Sequence, residues 1–201
     1  SVPYSGFLSL HALDESSCSP FNHSHGITLG EGAGAVIVES YEHAVAPGAH
    51  IYCEVLGAGV SSDAHHITAP RPDGAGQMSA LSSAIEHSGL TPADIDYVNA
   101  HGTGTAIGDP IEFAALKKVF GRSTSDRNFC ALGAVKANIG HADAAAGIAS
   151  LIKAAMAVKT GVIPPNPLFT EANPAISLQD SPFYINTGLT GWKDSSAPRA
   201  A

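Results

Sequence analysis

Residues 97–113 read YVNAHGTGTAIGDPIEF. The short run Tyr97-Val98-Asn99-Ala100 predicts a strand, and the glycine-broken HGTGT after it predicts a turn. Asp109-Pro110-Ile111-Glu112 then has the form of a helix start. Asp109 can cap, Pro110 suits the first helical position, and Glu112 can complete a capping box. Phe113, Leu116 and Phe120 supply one face of that helix, while Lys117 and Lys118 stay in water. The same order of strand, turn and helix returns further on. Cys130 to Val135 predicts an apolar strand, and VKANIGH forms the turn. Ile148, Leu151, Ile152, Ala155 and Met156 predict a core-facing helix that ends near Gly161.

Outward from these units, Met78, Leu81 and Ile85 recur at helical spacing between Gly76 and Ser88, with Gly89 as a stop. Ala33 to Glu39 (AGAVIVE) and Ile51 to Ser61 (IYCEVLGAGVS) predict two strands paired across the Pro47-Gly48 turn. Pro164, Pro165 and Pro167 predict an extended connector, and Phe183 to Asn186 a last short strand. No internal repeat or low-complexity linker divides the chain. Strands alternating with helices imply a layered α/β fold.

Composition narrows the functions available. The 201 residues are 44% apolar and 14% charged, enough for one well-buried unit and unlike a disordered chain. Ten Lys and Arg against 18 Asp and Glu leave a net charge of −8, which argues against sequence-independent binding to nucleic acid. No apolar run approaches the ~18–20 residues of a membrane helix, and no basic leader opens the chain. Cys18, Cys53 and Cys130 share no metal-ligand spacing and are too few for a disulfide framework. A reducing, cytoplasmic compartment is expected.

Two of the ten histidines fall where catalytic groups of layered α/β proteins collect, on turns past strand ends. His101 opens HGTGT, and His141 closes VKANIGH before the long helix. Gly102, Gly104 and Gly140 let a ligand approach the backbone beside each ring. Either histidine alone is more often a hydrogen-bonded structural residue; the matched contexts favour function. The helix after His141 disfavours imidazolium, so a neutral ring able to polarise a carbonyl or hold an enolate oxygen is expected. Lys136 sits in the same turn and can orient His141, or can be an ordinary exposed lysine. Thr103 and Thr105 can bond an extended ligand or merely their own turn. For Asp109 and Glu112, helix capping is preferred over acid–base catalysis. The three cysteines read as structural, since none adjoins a histidine or a helix start.

The stretches HGTGTAIGDPIE and GAVKANIGHADAAAGIASLIKA resemble the two histidine motifs of β-ketoacyl synthases, condensing enzymes of the thiolase-like superfamily. The GDPIE form is most similar to ketosynthases of modular polyketide synthases. LGEGAGAVIVES, SSDAHHITAP and IPPNPLF support this in the expected order. The resemblance implies a thiolase-like layered α-β-α-β-α fold, with residues 1–62 ending the N-terminal half and 63–201 belonging to the C-terminal half. It implies decarboxylative Claisen condensation of a malonyl-type thioester with an enzyme-bound acyl chain, in polyketide or fatty-acid synthesis. His101 and His141 would hold the malonyl thioester carbonyl and its enolate, Lys136 would position His141, and Thr103 and Thr105 would bond the phosphopantetheine arm. The implied partners are an acyl carrier protein bearing phosphopantetheine and a second copy in a homodimer. No metal and no cofactor bound by this chain are implied.

The departures from that pattern are specific. The family's nucleophilic cysteine lies in a TACSS-like segment, and nothing of that form occurs between Ser1 and Gly30. An FGFGG-like segment after Pro198-Arg199-Ala200 is also missing. The chain thus reads as a C-terminal half cut at both ends, expected by itself not to accept an acyl group. A PFD…DGF-like run is replaced by PFNHSHGI, residues 20–27. The rival reading is a noncatalytic partner subunit of the chain-length-factor type, against which the retained His101, His141 and Lys136 argue. A dinucleotide loop at residues 30–34 is disfavoured because there the strand follows the glycines. A zinc site on His65 and His66 lacks companion ligands at suitable spacing.

Overall fold

The computed structural model describes residues 2–22, 25–192 and 198–201. His23 and Ser24, in the middle of the segment PFNHSHGI, lie outside the described residues. In chain order the elements are α1 (Val2–Ser9), α2 (Tyr41–Val45), α3 (Ala75–Ser88), β1 (Tyr97–Asn99) and α4 (Gly108–Phe120). They continue with β2 (Cys130–Gly133), α5 (Lys136–Ile139), α6 (Ala146–Thr160), β3 (Val162–Ile163), β4 (Phe183–Ile185) and β5 (Thr190–Gly191).

Strands β1, β2 and β4 form a parallel sheet in that order, with Asn99 opposite Gly133 and Cys130 opposite Phe183. Parallel neighbours require crossovers, and α4 and α6 supply them. All four residues of β2 are buried, as expected of a central strand covered on both faces. On one face Phe113, Leu116 and Phe120 of α4 pack with Leu132 and Phe183, and Met78, Leu81 and Ile85 of α3 close over them. On the other, Ala157 of α6 meets Tyr97, Ala131 and Trp192. Gly89 ends α3 and Gly161 ends α6, both left-handed.

The stretches Ala33–Glu39 and Ile51–Ser61 do not form the paired strands their sequence predicts; both lack regular secondary structure and have no ladder partners among the described residues. Each lies instead along a helix. A Cβ on Gly59 would stand 1.9 Å from Ala80 O on α3, and one on Gly34 would stand 3.0 Å from Ile148 on α6. Their β-branched residues consequently face outward, Ile37 being 90% and Val60 93% exposed. Strand propensity reports a side chain suited to a pleated surface and does not specify the partner.

Helix α6 also differs from its pattern. It buries its small face, Ala146 and Ala157, against the sheet. Ile148, Ile152 and Met156, expected in the core, line an open cleft of about 450 Å³ opposite Gly32-Ala33-Gly34. No helix among the described residues is long and apolar enough to cross a membrane.

Candidate active site

The sheet register sets the site. The amide of Ala100 donates to Gly133 O at 2.8 Å, so β1 and β2 end at the same level and their turns leave side by side. The first turn presents His101. The second winds through α5, carrying Lys136, and arrives at His141. His141 is fastened by its backbone, which donates to Thr28 O at 2.7 Å and accepts from Gly30 N at 3.0 Å. This crossing is tight: Gly140 has φ +74°, and a Cβ there would stand 2.9 Å from Thr28 O. The two imidazole rings come within 5.8 Å, centroid to centroid, at an interplanar angle of 88°. Phe7 of α1 stands 5.9 Å from the His141 ring on another side.

The hydrogen bonds fix how each ring is protonated. Nδ1 of His141 accepts the Asp143 amide at 3.0 Å, which leaves the neutral ring's proton on Nε2. Nδ1 of His101 lies 3.3 Å from Lys136 Nζ, and a charged ammonium there can only donate. His101 therefore also carries its proton on Nε2. Both rings favour the neutral state. Burial, then Lys136, then His141 bring His101 down to about 4. His141 is lowered by burial and by Lys136, against a smaller opposing pull from Asp143. The depression at His141 thus comes chiefly from burial; a short 3-10 turn, Asp143–Ala145, separates it from α6.

Lys136 is buried and donates to His101 O at 2.6 Å as well as facing His101 Nδ1. Its direct contact is with His101, whereas the family resemblance has it position His141; it acts on His141 through charge. Burial lowers its ammonium, and the nearby acidic groups Glu112, Cys18 and Asp109 oppose that effect.

Asp109 and Glu112 do not cap α4 as expected. The helix starts at Gly108 without a side-chain cap, and both carboxylates turn toward the HGTGT turn. Glu112 accepts the amides of His101 at 2.7 Å and Gly102 at 2.8 Å. Asp109 accepts those of Gly104 at 3.0 Å and Phe21 at 2.7 Å. One acidic residue thus supports the histidine end of the turn and the other its threonine end. Burial pushes Glu112 up to about 7 and raises Asp109 as well. The Asp-Pro-Ile-Glu spacing carries a signal for these residues, but spacing alone does not say which orphan amides the carboxylates meet.

Thr103 and Thr105 share a hydrogen bond of 2.9 Å, and Thr105 Oγ1 accepts Gly108 N at 3.1 Å. Thr103 O accepts the thiol of Cys18 at 3.2 Å. Burial pushes that thiol up to about 11, leaving it protonated near neutrality. Cys18 begins a strap, residues 18–22, packed under the turn. Within it Phe21 is fully buried at φ +66°, and its carbonyl accepts Asn173 N at 2.9 Å.

The arrangement offers two neutral N–H donors from separate turns, with a lysine behind one of them, suited to an oxygen that gains negative charge. Residues 52–170 match the family described as "Beta-ketoacyl synthase, C-terminal domain". The chain is 40% identical to one component of the phenolphthiocerol/phthiocerol polyketide synthase of Mycobacterium tuberculosis over 92% of its length, covering 12% of that protein. It is 38% identical to polyketide synthase PksL of Bacillus subtilis over 93% of its length, covering 4% of it. The ketosynthase from module 6 of the bacillaene synthase of Bacillus subtilis 168 superposes with a TM-score of 0.91 at 36% identity, over 97% of this chain and 36% of that one. The ishigamide ketosynthase/chain length factor superposes at 0.84 with 34% identity, over 95% of this chain and 45% of that one. The chain thus spans roughly a third of the bacillaene ketosynthase and a small part of the synthases it resembles. With a ketosynthase fold, the two histidine turns and the family match over residues 52–170, this chain belongs to the β-ketoacyl synthase family.

Proposed function

We propose that His101 and His141 form the decarboxylating part of a ketosynthase active centre in the protein that carries this chain. The substrate is a malonyl-type thioester on the phosphopantetheine arm of an acyl carrier protein. The bond between its α-carbon and the carboxylate breaks, carbon dioxide leaves, and the electron pair moves into the α-carbon–thioester unit as an enolate. Nε2–H of each ring donates to the enolate oxygen. The carbanion then attacks an acyl thioester held on an enzyme cysteine, expelling the thiolate and forming the β-ketoacyl product. Lys136 keeps His101 in the donor tautomer. Thr103 and Thr105 retain lone pairs that can accept amide N–H groups of the pantetheine arm. The protein acts as a homodimer and binds no cofactor of its own.

The observation that carries this reading is the approach of two neutral imidazoles within 5.8 Å, each with Nδ1 occupied by a donor. The likeness to the ishigamide ketosynthase/chain length factor keeps a noncatalytic partner role as the second reading. The retained pair with Lys136 favours catalysis. Release of carbon dioxide from a malonyl thioester by the complete ketosynthase tests it. His101→Ala or His141→Ala lowers that rate by roughly 10²–10³; an undiminished rate in either variant removes the assigned role.

A further inference from the structure

Lys153, on α6, stands outside the donor pair and has no part in the chemistry above. Its Nζ donates to Asn138 Oδ1 at 2.7 Å and to Ala134 O at 3.3 Å. These two acceptors lie on either side of Lys136 in the turn that leads to His141. Ala134 is fully buried and backs the other turn as well, since a Cβ on Gly102 would stand 2.5 Å from Ala134 Cβ. Ala134 O already accepts the Ala137 amide at 3.2 Å, so the ammonium adds a second, charged donor to the carbonyl where the chain bends. The far end of the tie is firm, because Ala157 anchors α6 in the core under the sheet.

The surroundings give this lysine few other tasks. It reaches its acceptors from the wall of the apolar cleft, whose other lining side chains carry no ionisable group. Burial brings its ammonium down to about 8. A long cationic side chain placed there at such a desolvation cost is explained by the turn it braces.

We propose that Lys153 is a positioning residue: by tying Ala134 and Asn138 to α6 it sets the turn that delivers Lys136 and His141 to His101. This role rests on the proposed work of the histidine pair, and the experiment separates the two. In the complete ketosynthase, Lys153→Met, Asn138→Ala, the double variant and Lys153→Arg are compared with the unsubstituted protein. The readouts are malonyl-thioester decarboxylation and the imidazole ¹³Cε1 signals of His101 and His141. Methionine fills similar apolar space, and melting curves check that the fold is kept.

Lys153→Met is expected to lower kcat for decarboxylation by about 10- to 100-fold, with KM little changed, and to move both imidazole signals. Asn138→Ala should act in the same direction, the double variant should lose much less than the product of the two singles, and arginine should restore part of the rate. Unchanged kcat with unmoved signals in Lys153→Met, or losses that multiply in the double variant, overturn the proposal. If the unsubstituted protein releases no carbon dioxide, it is the reading of the histidine pair that fails. The imidazole signals then decide the role of Lys153 alone: moved signals support it and unmoved signals overturn it.

Discussion

Lys136 Nζ lies 2.6 Å from the carbonyl oxygen of His101 and 3.3 Å from its ring Nδ1, so one ammonium holds both the backbone and the tautomer of that histidine. Lys136→Met removes both donations at once. With Nδ1 free, the His101 proton can move there and Nε2 becomes an acceptor, the wrong group for an enolate oxygen. Decarboxylation by the complete ketosynthase should fall on the order of 10²-fold. Because Lys136 is also one of the charges that lowers the His101 pKa, the ring's titration should move upward in the variant. Histidine ¹³Cε1 shifts followed against pH check this; a His101 titration that stays in place would show that the lysine does not govern the ring.

Glu112 makes a different kind of prediction, because it supports the turn without touching a ring. Its two acceptor bonds go to the His101 and Gly102 amides. Glu112→Gln turns an amide N–H₂ toward one of those donors, and leaving a buried amide unpaired costs about 1–3 kcal/mol. Burial raises the Glu112 pKa from 4.5 to about 7, so the folded chain holds that proton more tightly than the unfolded one. Its contribution to stability is full below pH 4.5 and is lost as pH rises through about 7. The whole effect is at most about 3 kcal/mol. Between pH 5 and pH 8 the unsubstituted protein should therefore lose more of its melting temperature than the Gln variant. Parallel melting curves for the two would sink this account.

Much of the fold is legible in the sequence because three units have their signals in adjoining residues. The strand at Tyr97, the helix with Phe113, Leu116 and Phe120, and the helix closed by Gly89 each carry period and stop signal together. The stretches Ala33–Glu39 and Ile51–Ser61 are not, because an apolar, β-branched run encodes burial without naming what it packs on, and here Gly34 and Gly59 seat them against helices. In the site, the two histidines and the lysine are visible from matched turns. The partners of Lys136, Asp109 and Glu112 are not, since hydrogen bonds across 35, 88 and 10 or 11 residues of chain depend on how the two turns and the strap come together in space.

Asp109 joins the threonine end of the turn to the strap at residues 18–22. Its carboxylate accepts Gly104 N and Phe21 N and is almost fully buried. Asp109→Ala leaves two amides without acceptors, at about 1–3 kcal/mol each. Phe21 holds φ +66°, a conformation a bulky side chain keeps only under constraint, so losing this bond should let the strap relax. Thr103, whose carbonyl accepts the Cys18 thiol, would move with it. The kinetic mark should be a rise in KM for the carrier-borne thioester larger than the fall in kcat. The opposite split would place Asp109 with the donor pair instead of the arm-binding end.

The donor states of His101 and His141 set the shape of the rate profile in acid. Both pKa values lie below the ordinary 6.5, and burial is the first cause in each case. An imidazolium at either position would still donate, but two adjacent cations beside Lys136 repel one another and distort the pair. Decarboxylation should accordingly hold level as pH is lowered through 6.5. It should fall only below that, as His141 protonates under its ordinary value and as His101 nears its own value of about 4. The mouth of the site is open to water on the His101 side, which screens these charges and softens the fall. Initial rates of carbon dioxide release in buffers of constant ionic strength measure it, with protein integrity checked at each pH by fluorescence. An acid limb centred at 6.5 would mean that at least one ring titrates as it does in water, and the neutral pair could not then be the donor set.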